Sequence, residues 1–305
     1  MKKNSVLFVV ILNSLIVAFE LFFGVISGSM ALITDAAHNL GDVAAVIVTF
    51  IAIIYGAKAA SEKFTFGFVR SEMMAAFVNA LFLCVTMIYI SYEAIGRVFN
   101  PIAIEAKYVI VVAFIALIAN GISAFILKKA GVAHSHRHAG DCDHVHEDLN
   151  VKSAYLHMLS DALISLGVIV GGIAILLFEI VWLDSVLALA FSAWIFFESY
   201  KVLKASFFSL MDYNKESLKT YEDALKKFEI VKSVHDIHLF APSSAEKHFS
   251  AHIVLAGNPT LSDVEKLLEE IRRDIARLGV THSLIQSETA KYAQDDILCA
   301  AHCRV

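Results

Sequence analysis

Three observations predict a mostly α-helical membrane protein with six transmembrane helices and a C-terminal cytoplasmic α+β domain. The first is composition: 58% of the 305 residues are hydrophobic and mean hydropathy is +0.67, against about 45–50% apolar residues in soluble domains. The second is that the apolar residues fall into six runs, each close to the ~20 residues that cross a bilayer as a helix. The third is a change beyond about Met211, where charges become interspersed and apolar residues recur with helical or strand periodicity.

The six runs are Ser5 to Ile26, Ala31 to Tyr55, Met73 to Ile95, Tyr108 to Leu127, Ala154 to Phe178 and Ser185 to Tyr200, the last being the shortest. Only 3 prolines and 14 glycines interrupt the chain, which favours long helices. The opening apolar run exceeds the ~7–15 residues of a signal-peptide core and has no A-x-A-like cleavage site after it, so it reads as a span. An even number of spans puts both termini on one side. One set of connections carries Lys2, Lys3, Lys58, Lys63, Arg70, Lys128, Lys129, Arg137, Lys152, Lys201 and Lys204, and the other only Arg97 and Lys107. The positive-inside rule therefore places both termini in the cytoplasm; a bacterial source would make the membrane the inner one.

The expected division is a transmembrane domain over 1–206, with a His-rich cytoplasmic loop at 131–150, and an α+β domain over 207–305 with a Cys/His tail at 296–305. In the second domain Leu218, Tyr221, Leu225 and Phe228 mark one buried helix face. "VHDIHLF" and "HFSAHIVLA" read as strands, "LSDVEKLLEEIRRDIARL" as a helix with Ser262 and Glu265 as its capping box, and "THSLIQSE" as a third strand. The order is α-β-β-α-β, a two-layer arrangement. Gly279 suits the end of the second helix. A net charge of -5 and the absence of a Lys/Arg block argue against nucleic acid as a partner. The four cysteines, Cys84, Cys142, Cys299 and Cys303, make no secreted disulfide framework.

The chemistry lies inside the spans. "LITDAAHNLGD" places Asp35, His38 and Asp42 on one helical face, and "YLHMLSD" in the fifth span repeats the His-x-x-x-Asp spacing with His157 and Asp161. His38 and Asp42 lie roughly 8 to 12 residues into the second span and His157 and Asp161 roughly 4 to 8 into the fifth, about 12–18 Å and 6–12 Å from opposite faces at ~1.5 Å per residue, so both pairs are expected to lie inside the bilayer and a shared site is geometrically possible. Two nitrogens and two carboxylate oxygens make a tetrahedral set suited to Zn²⁺. A central Asp costs about 2.5–3.5 kcal/mol on insertion scales, which makes a repeated pair a functional signal. Asp35 is expected to orient the His38 ring or accept a proton, with direct ligation of the metal as the alternative. Glu20 and Asn79 are expected to hydrogen-bond across helices, and Asp184 to cap the sixth helix. No Walker-type sequence or H-E-x-x-H occurs, which argues against an ATP-driven pump or a metallohydrolase and so against an enzyme.

Histidines recur outside the spans. His134, His136, His138, His144 and His146 stand in a polar loop where neutral imidazoles capture divalent metals. His235, His238, His248, His252 and His282, with Glu288, lie on or beside the strands, where alternate residues share a face. Cys299, His302 and Cys303 form a short tail motif with zinc-binding character.

These features together resemble the cation diffusion facilitator family of divalent-metal transporters: "TDAAHNLGD", "YLHMLSD", the His-rich loop, "VHDIHLF", "FGFVRSEMMAA" entering the third span and "RVFNP" leaving it. The resemblance covers essentially the whole chain. It implies a homodimer exporting Zn²⁺ from the cytoplasm in exchange for protons; Cd²⁺, Co²⁺ or other divalent metals are further candidate cargo. It also implies a ferredoxin-like, metallochaperone-like terminal domain that binds zinc and strengthens the dimer, with no organic cofactor. Transport ligands would be His38, Asp42, His157 and Asp161; His38, rather than an Asp, leans the site toward zinc. The terminal-domain ligands would be His235, His252, His282 and Glu288. The pair Cys299 and Cys303 corresponds to a tail motif with the usual spacing Cys-x-x-Cys, here lengthened by one residue. A metal-gated channel or membrane metal sensor is the alternative; it would use the same ligands without proton exchange.

Overall fold

The computed structural model describes residues 3–56, 58, 60–134, 144–292 and 297–298. Six long helices come first: α1 (Lys3–Ser27), α2 (Met30–Gly56), α3 (Ser71–Phe99), α4 (Ala106–His134), α5 (His144–Phe178) and α6 (Trp182–Leu210). They are followed by α7 (Leu218–Lys226), β1 (Val231–Phe240), β2 (His248–Leu255), α8 (Leu261–Arg277) and β3 (His282–Glu288). Stretches of α2 to α6 are long and apolar enough to span a bilayer, and α1 contributes the apolar helix Asn13–Ser27 among residues whose side chains are described. The chain is therefore a multi-pass membrane protein.

The sixth span is longer than its apolar run suggested. Charged residues end a hydropathy run but not a helix, and Glu198 and Lys201, three apart and 2.5 Å from each other, sit on a continuous helical surface. Similarly, α4 continues to His134 and α5 begins at His144, so the polar segment between them is shorter than 131–150.

The chain forms two compact units. The first comprises residues 1–48 and 78–203. Its polarity is inverted relative to a soluble protein: Phe22, Val85, Ile88, Phe114 and Val170 are exposed, whereas Glu20, Asp35, Asn120, Asp161, Ser165 and Asp184 are buried. Hydrocarbon on the outer face makes that arrangement favourable, since polar groups are cheap only where the bundle supplies partners. The core is built on Met30, Met87, Ile90, Val109, Val168 and Ile195 with small residues Ala31, Ala94, Ala113 and Ala188 between them. A small-residue stripe on α5 brings α6 close: a Cβ on Gly167 would lie 2.9 Å from Phe191 Cζ, and one on Gly171 2.2 Å from Leu187 Cδ1.

Asp184 does not act as the cap of its own helix. α6 begins at Trp182, and the Asp184 carboxylate accepts hydrogen bonds from Ser29 Oγ (2.5 Å), Met30 N (2.6 Å) and Ala31 N (3.3 Å). It thus satisfies the free N–H groups that open α2, at the positive end of that helix.

The second unit comprises residues 49–77 and 204–305. Its sheet has the order β1-β2-β3, antiparallel between β1 and β2 and parallel between β2 and β3. Phe249, Ala251 and Ile253 on alternate positions of β2 enter the core with Tyr221 and Leu225 of α7 and Ile271 and Ile275 of α8. The capping box of α8 lies two residues before the expected one: Thr260 Oγ1 accepts from Asp263 N, and Asp263 Oδ2 accepts from Thr260 N, both at 3.3 Å. Ser262 is already inside the helix. The segment before α3 joins this unit through Arg70, whose Nη2 donates to both Asp212 oxygens at 2.8 and 3.1 Å. At the base of α7, Lys247 Nζ donates to Glu216 at 2.5 Å and Tyr221 Oη donates to the other Glu216 oxygen.

Candidate metal centres

α2 and α5 run antiparallel as neighbouring passes of one bundle would, and their two His-Asp pairs meet. His38, Asp42, His157 and Asp161 each offer one donor atom, all within 4.8 Å of one another. The arrangement is reciprocal. His38 Nε2 lies 3.6 Å from Asp42 Oδ2 and 3.5 Å from Asp161 Oδ1, while His157 Nε2 lies 3.2 Å from Asp42 Oδ2 and 3.7 Å from Asp161 Oδ2. A tetrahedral ion with metal–ligand bonds of about 2.1 Å holds its donors about 3.4 Å apart, from the tetrahedral angle alone. The four nitrogen–oxygen separations lie close to that value, with Asp161 offering a different oxygen to each imidazole, so the four side chains are gathered on the scale of a tetrahedral ion. The rings stand nearly perpendicular, at 78° with centroids 5.7 Å apart. Asp42 Oδ2 and Asp161 Oδ1 have no hydrogen-bond partner among the described residues, and buried carboxylate oxygens facing two imidazole nitrogens need a cation or protons between them.

The four donors differ in access. Asp42 and His157 form the level nearer the Gly56 end of α2 and the His144 end of α5, with side chains 29% and 38% exposed. His38 and Asp161 form the level one turn deeper, at 16% and 1%. The constellation is open from one end and closed at the other.

Asp35 is fully buried, accepts a hydrogen bond from Ser165 Oγ at 3.3 Å, and meets the amide of Asn39 at 3.5 Å. It does not contribute a donor to the four. Asn39 also donates to Glu20 Oε2 at 3.0 Å, joining α1 to α2. Glu20 therefore bonds across helices as the sequence suggested, but through a residue that sequence reading passed over.

The second centre lies on the sheet. His235, His252 and Glu288 bring three donor atoms within 4.8 Å of one another. His235 Nε2 is 3.3 Å from Glu288 Oε2, and His252 Nδ1 is 3.0 Å from Glu288 Oε1. His235 and His252 are register partners on β1 and β2, and Glu288 stands at the far end of β3, opposite Val254. A break in register between His235 and His238 leaves Asp236 with φ of 53°, and its Oδ2 lies 3.5 Å from His252 Nε2. A bulge that re-aims a side chain toward a site is a recurrent device, and periodicity gives no sign of it.

His282 is not brought to this cluster. The parallel pairing of β2 and β3 sets it opposite His248, six residues before Glu288 and so roughly 20 Å away at ~3.3 Å per residue. It packs on His248, ring centroids 5.0 Å apart, with Phe66 against both rings. His248 pairs with Glu246 and His238 with Asp236, each at 3.0 Å. His136, His138, Cys299 and Cys303 lie outside the described residues; His134 closes α4 and His144 and His146 open α5, their side chains undescribed. Ile297 lies beside β1, its carbonyl accepting from Ile237 N at 2.9 Å.

Comparison with known proteins agrees with this architecture. Residues 6–211 match the family model described as the cation efflux transmembrane domain, and residues 214–290 that of the cation efflux protein cytoplasmic domain. The chain is 36% identical over 282 residues to the metal cation efflux system protein CzcD of Cupriavidus metallidurans, covering 91% of this chain and 84% of that protein. It is 31% identical over 283 residues to the cadmium, cobalt and zinc/H(+)-K(+) antiporter of Bacillus subtilis, covering 92% and 87%. It is 30% identical over 281 residues to the zinc transporter ZitB of Yersinia pestis, covering 91% and 85%. The inverted polarity of the bundle, the paired donors in its interior and two family matches that together run from residue 6 to residue 290 lead to one conclusion: the chain belongs to the cation efflux family.

Proposed function

We propose that the chain is a secondary transporter that exports Zn²⁺ from the cytoplasm in exchange for protons, through His38, Asp42, His157 and Asp161. The observation that carries this is the convergence of one donor atom from each of the four side chains to within 4.8 Å of one another inside the spans, with nitrogen–oxygen separations between 3.2 and 3.7 Å. Two neutral imidazoles and two carboxylates carry a net charge of minus two, and desolvated charge of that size needs compensation by one divalent cation or by protons. The same donors cannot hold both, so metal and protons displace each other. Histidine supports this because its ordinary pKa of about 6.5 is close to working pH. The relatives named as antiporters favour exchange over a metal-gated channel.

With both termini in the cytoplasm, the open level formed by Asp42 and His157 faces the cytoplasm, which is the loading state of an exporter. Cd²⁺ and Co²⁺, named for the Bacillus relative, are further candidate cargo here. In the terminal domain, His235, His252 and Glu288 would hold a zinc ion with three donors, leaving a fourth position for another ligand. We assign that ion a stabilising role in the domain and the domain itself a role in a homodimer. The division at about residue 206, the tail at 296–305 and metal capture by the polar loop remain parts of the same proposal.

The test is purified protein in proteoliposomes, with zinc and pH dyes read together. Exchange gives zinc flux accompanied by opposite proton flux in fixed ratio and driven by an imposed pH gradient. Zinc flux indifferent to that gradient would refute antiport.

A further inference from the structure

Glu20 lies in α1, a helix that supplies none of the four transport donors. It is 0% exposed in the bundle interior. Its Oε2 accepts the Asn39 amide at 3.0 Å and its Oε1 has no partner among the described residues. The same amide nitrogen reaches Asp35 Oδ1 at 3.5 Å, and Ser165 Oγ of α5 closes the series on Asp35 Oδ2. Among the described residues neither Glu20 nor Asp35 has an ion pair with Lys, Arg or His. The charged groups that act on Glu20 are Asp35 of α2 and Asp161 of α5, both of its own sign.

A structural carboxylate in a bundle interior is held by a cation or by several donors. Among the described residues Glu20 has one neutral amide. Ionised, it is a desolvated charge beside two others of the same sign, a costly state in hydrocarbon. Protonated, it is a neutral acid with one oxygen on the Asn39 amide. What changes the balance is the cargo. Asn39 follows His38 directly, and Asp161 is one of the four donors. A divalent ion among those donors cancels the negative field on Glu20, and its departure restores that field.

We propose that Glu20 is a proton-binding residue of the exchange cycle, distinct from the metal ligands: it holds a proton in the metal-free protein and gives it up when Zn²⁺ binds. The O–H bond breaks with its electron pair left on the carboxylate. The proton leaves to the cytoplasm, the side from which zinc enters. After the ion departs, a proton from the opposite side re-forms the acid. Proton exchange is then shared between the donors, which swap ligand for proton, and a group that never touches the ion. This inference rests on the metal/proton exchange proposed above.

The experiment counts protons. Zinc is titrated by calorimetry into full-length protein at one pH in buffers of different ionisation enthalpy, in a background of His235→Ala that removes uptake by the terminal-domain centre, which gives protons released per zinc bound with and without Glu20→Gln. The expected result is a release reduced by about one proton per zinc, with zinc still bound because the four donors are intact but about tenfold or more weaker, since a group that gives up nearly a whole proton on binding must favour the ion by at least that factor. The paired proteoliposome assay is expected to show zinc flux that responds less steeply to an imposed pH gradient. An unchanged proton count in Glu20→Gln overturns the proposal, and so does loss of zinc binding in a folded Glu20→Gln protein, which would make Glu20 part of the metal site. Zinc flux driven by a K⁺ gradient at constant pH in wild type and lost in Glu20→Gln also overturns it, by giving the residue to a monovalent cation. If Glu20→Gln does not fold, infrared difference spectra of wild type and Glu20→Asp are read instead. Loss of a carboxylic-acid carbonyl band on zinc binding, at a frequency moved by Glu20→Asp, supports the assignment; an unmoved band overturns it. A wild type that releases no protons at all refutes exchange itself, whereas release by wild type and equal release by Glu20→Gln refutes Glu20 alone.

Discussion

Replacing Asp161 by Asn tests the transport site with the least disturbance of shape. The side chain is 1% exposed and its two oxygens face different imidazoles, Oδ1 to His38 at 3.5 Å and Oδ2 to His157 at 3.7 Å. Asn keeps the volume and one oxygen, so the packing of α5 is retained, while the formal charge is lost. Four-ligand zinc sites bind with roughly 10–16 kcal/mol, so an equal share is about 3 kcal/mol per ligand. An amide oxygen is a poorer donor than a carboxylate but still a donor, and the expected loss is about 2–3 kcal/mol, or roughly 30- to 150-fold in Kd. Calorimetric zinc titration of detergent-purified protein reads the affinity, and size-exclusion profiles confirm the fold. The terminal-domain centre would also take up zinc, so the titration is run in a background of His235→Ala. A Kd within twofold of the parent, in a folded protein, would refute the idea that Asp161 holds the ion.

Other consequences are equally direct. Asp184→Ala removes three hydrogen bonds from the opening of α2, and a buried cap of this kind is worth about 2–3 kcal/mol; the thermal midpoint in detergent should fall by several degrees, and Asp184→Asn by less. Gly171→Leu sets a branched side chain against Leu187 and should lower the midpoint or separate α5 from α6, read by cross-linking of a cysteine pair across them. Glu288→Gln should weaken one zinc-binding event of the full-length protein by at least tenfold and leave transport-site affinity unchanged. Lys247 donates to Glu216, so the Glu216 carboxyl lies below its usual 4.5, the Lys247 ammonium beside Glu216 above its usual 10.5. Their mutual stabilisation is therefore complete between those values, lost below pH 4.5 as Glu216 protonates and above pH 10.5 as Lys247 deprotonates. Both groups are solvent-accessible, so Glu216→Gln should cost under about 1 kcal/mol at pH 7 and flatten the acid limb of the stability profile.

Much of this was readable in the sequence because its signals are local. Spans follow from hydropathy, and the site follows from His-x-x-x-Asp, a spacing that only a helix turns into a shared face. The strands followed from alternation at "HFSAHIVL". What escaped was pairing between distant elements. Asp184 looks like a cap of its own helix, and only the folded bundle shows that its carboxylate serves α2. His282 looks like a partner of Glu288 in "THSLIQSE", yet a strand's rise carries the two to opposite ends of the sheet. Asp236 enters the vicinity of His252 because a bulge turns it, and Asn39 looks like a spectator beside His38. The capping box slipped by two residues because Thr260 and Asp263 use an aspartate where the common pattern has Glu or Gln. The Gly167 and Gly171 stripe was visible as GVIVG, but its meaning depends on which helix lies against it.

The Asp184 contact with Ser29, Met30 and Ala31 has a mechanical reading. It rivets the start of α6 to the start of α2, and α2 carries two of the four donors. Any rocking of α6 at that end must drag His38 and Asp42 along, because slippage would strand the first amide groups of α2 without acceptors. In any such rocking, α2 and α6 would travel as a linked pair, and the sliding would fall on other helix contacts.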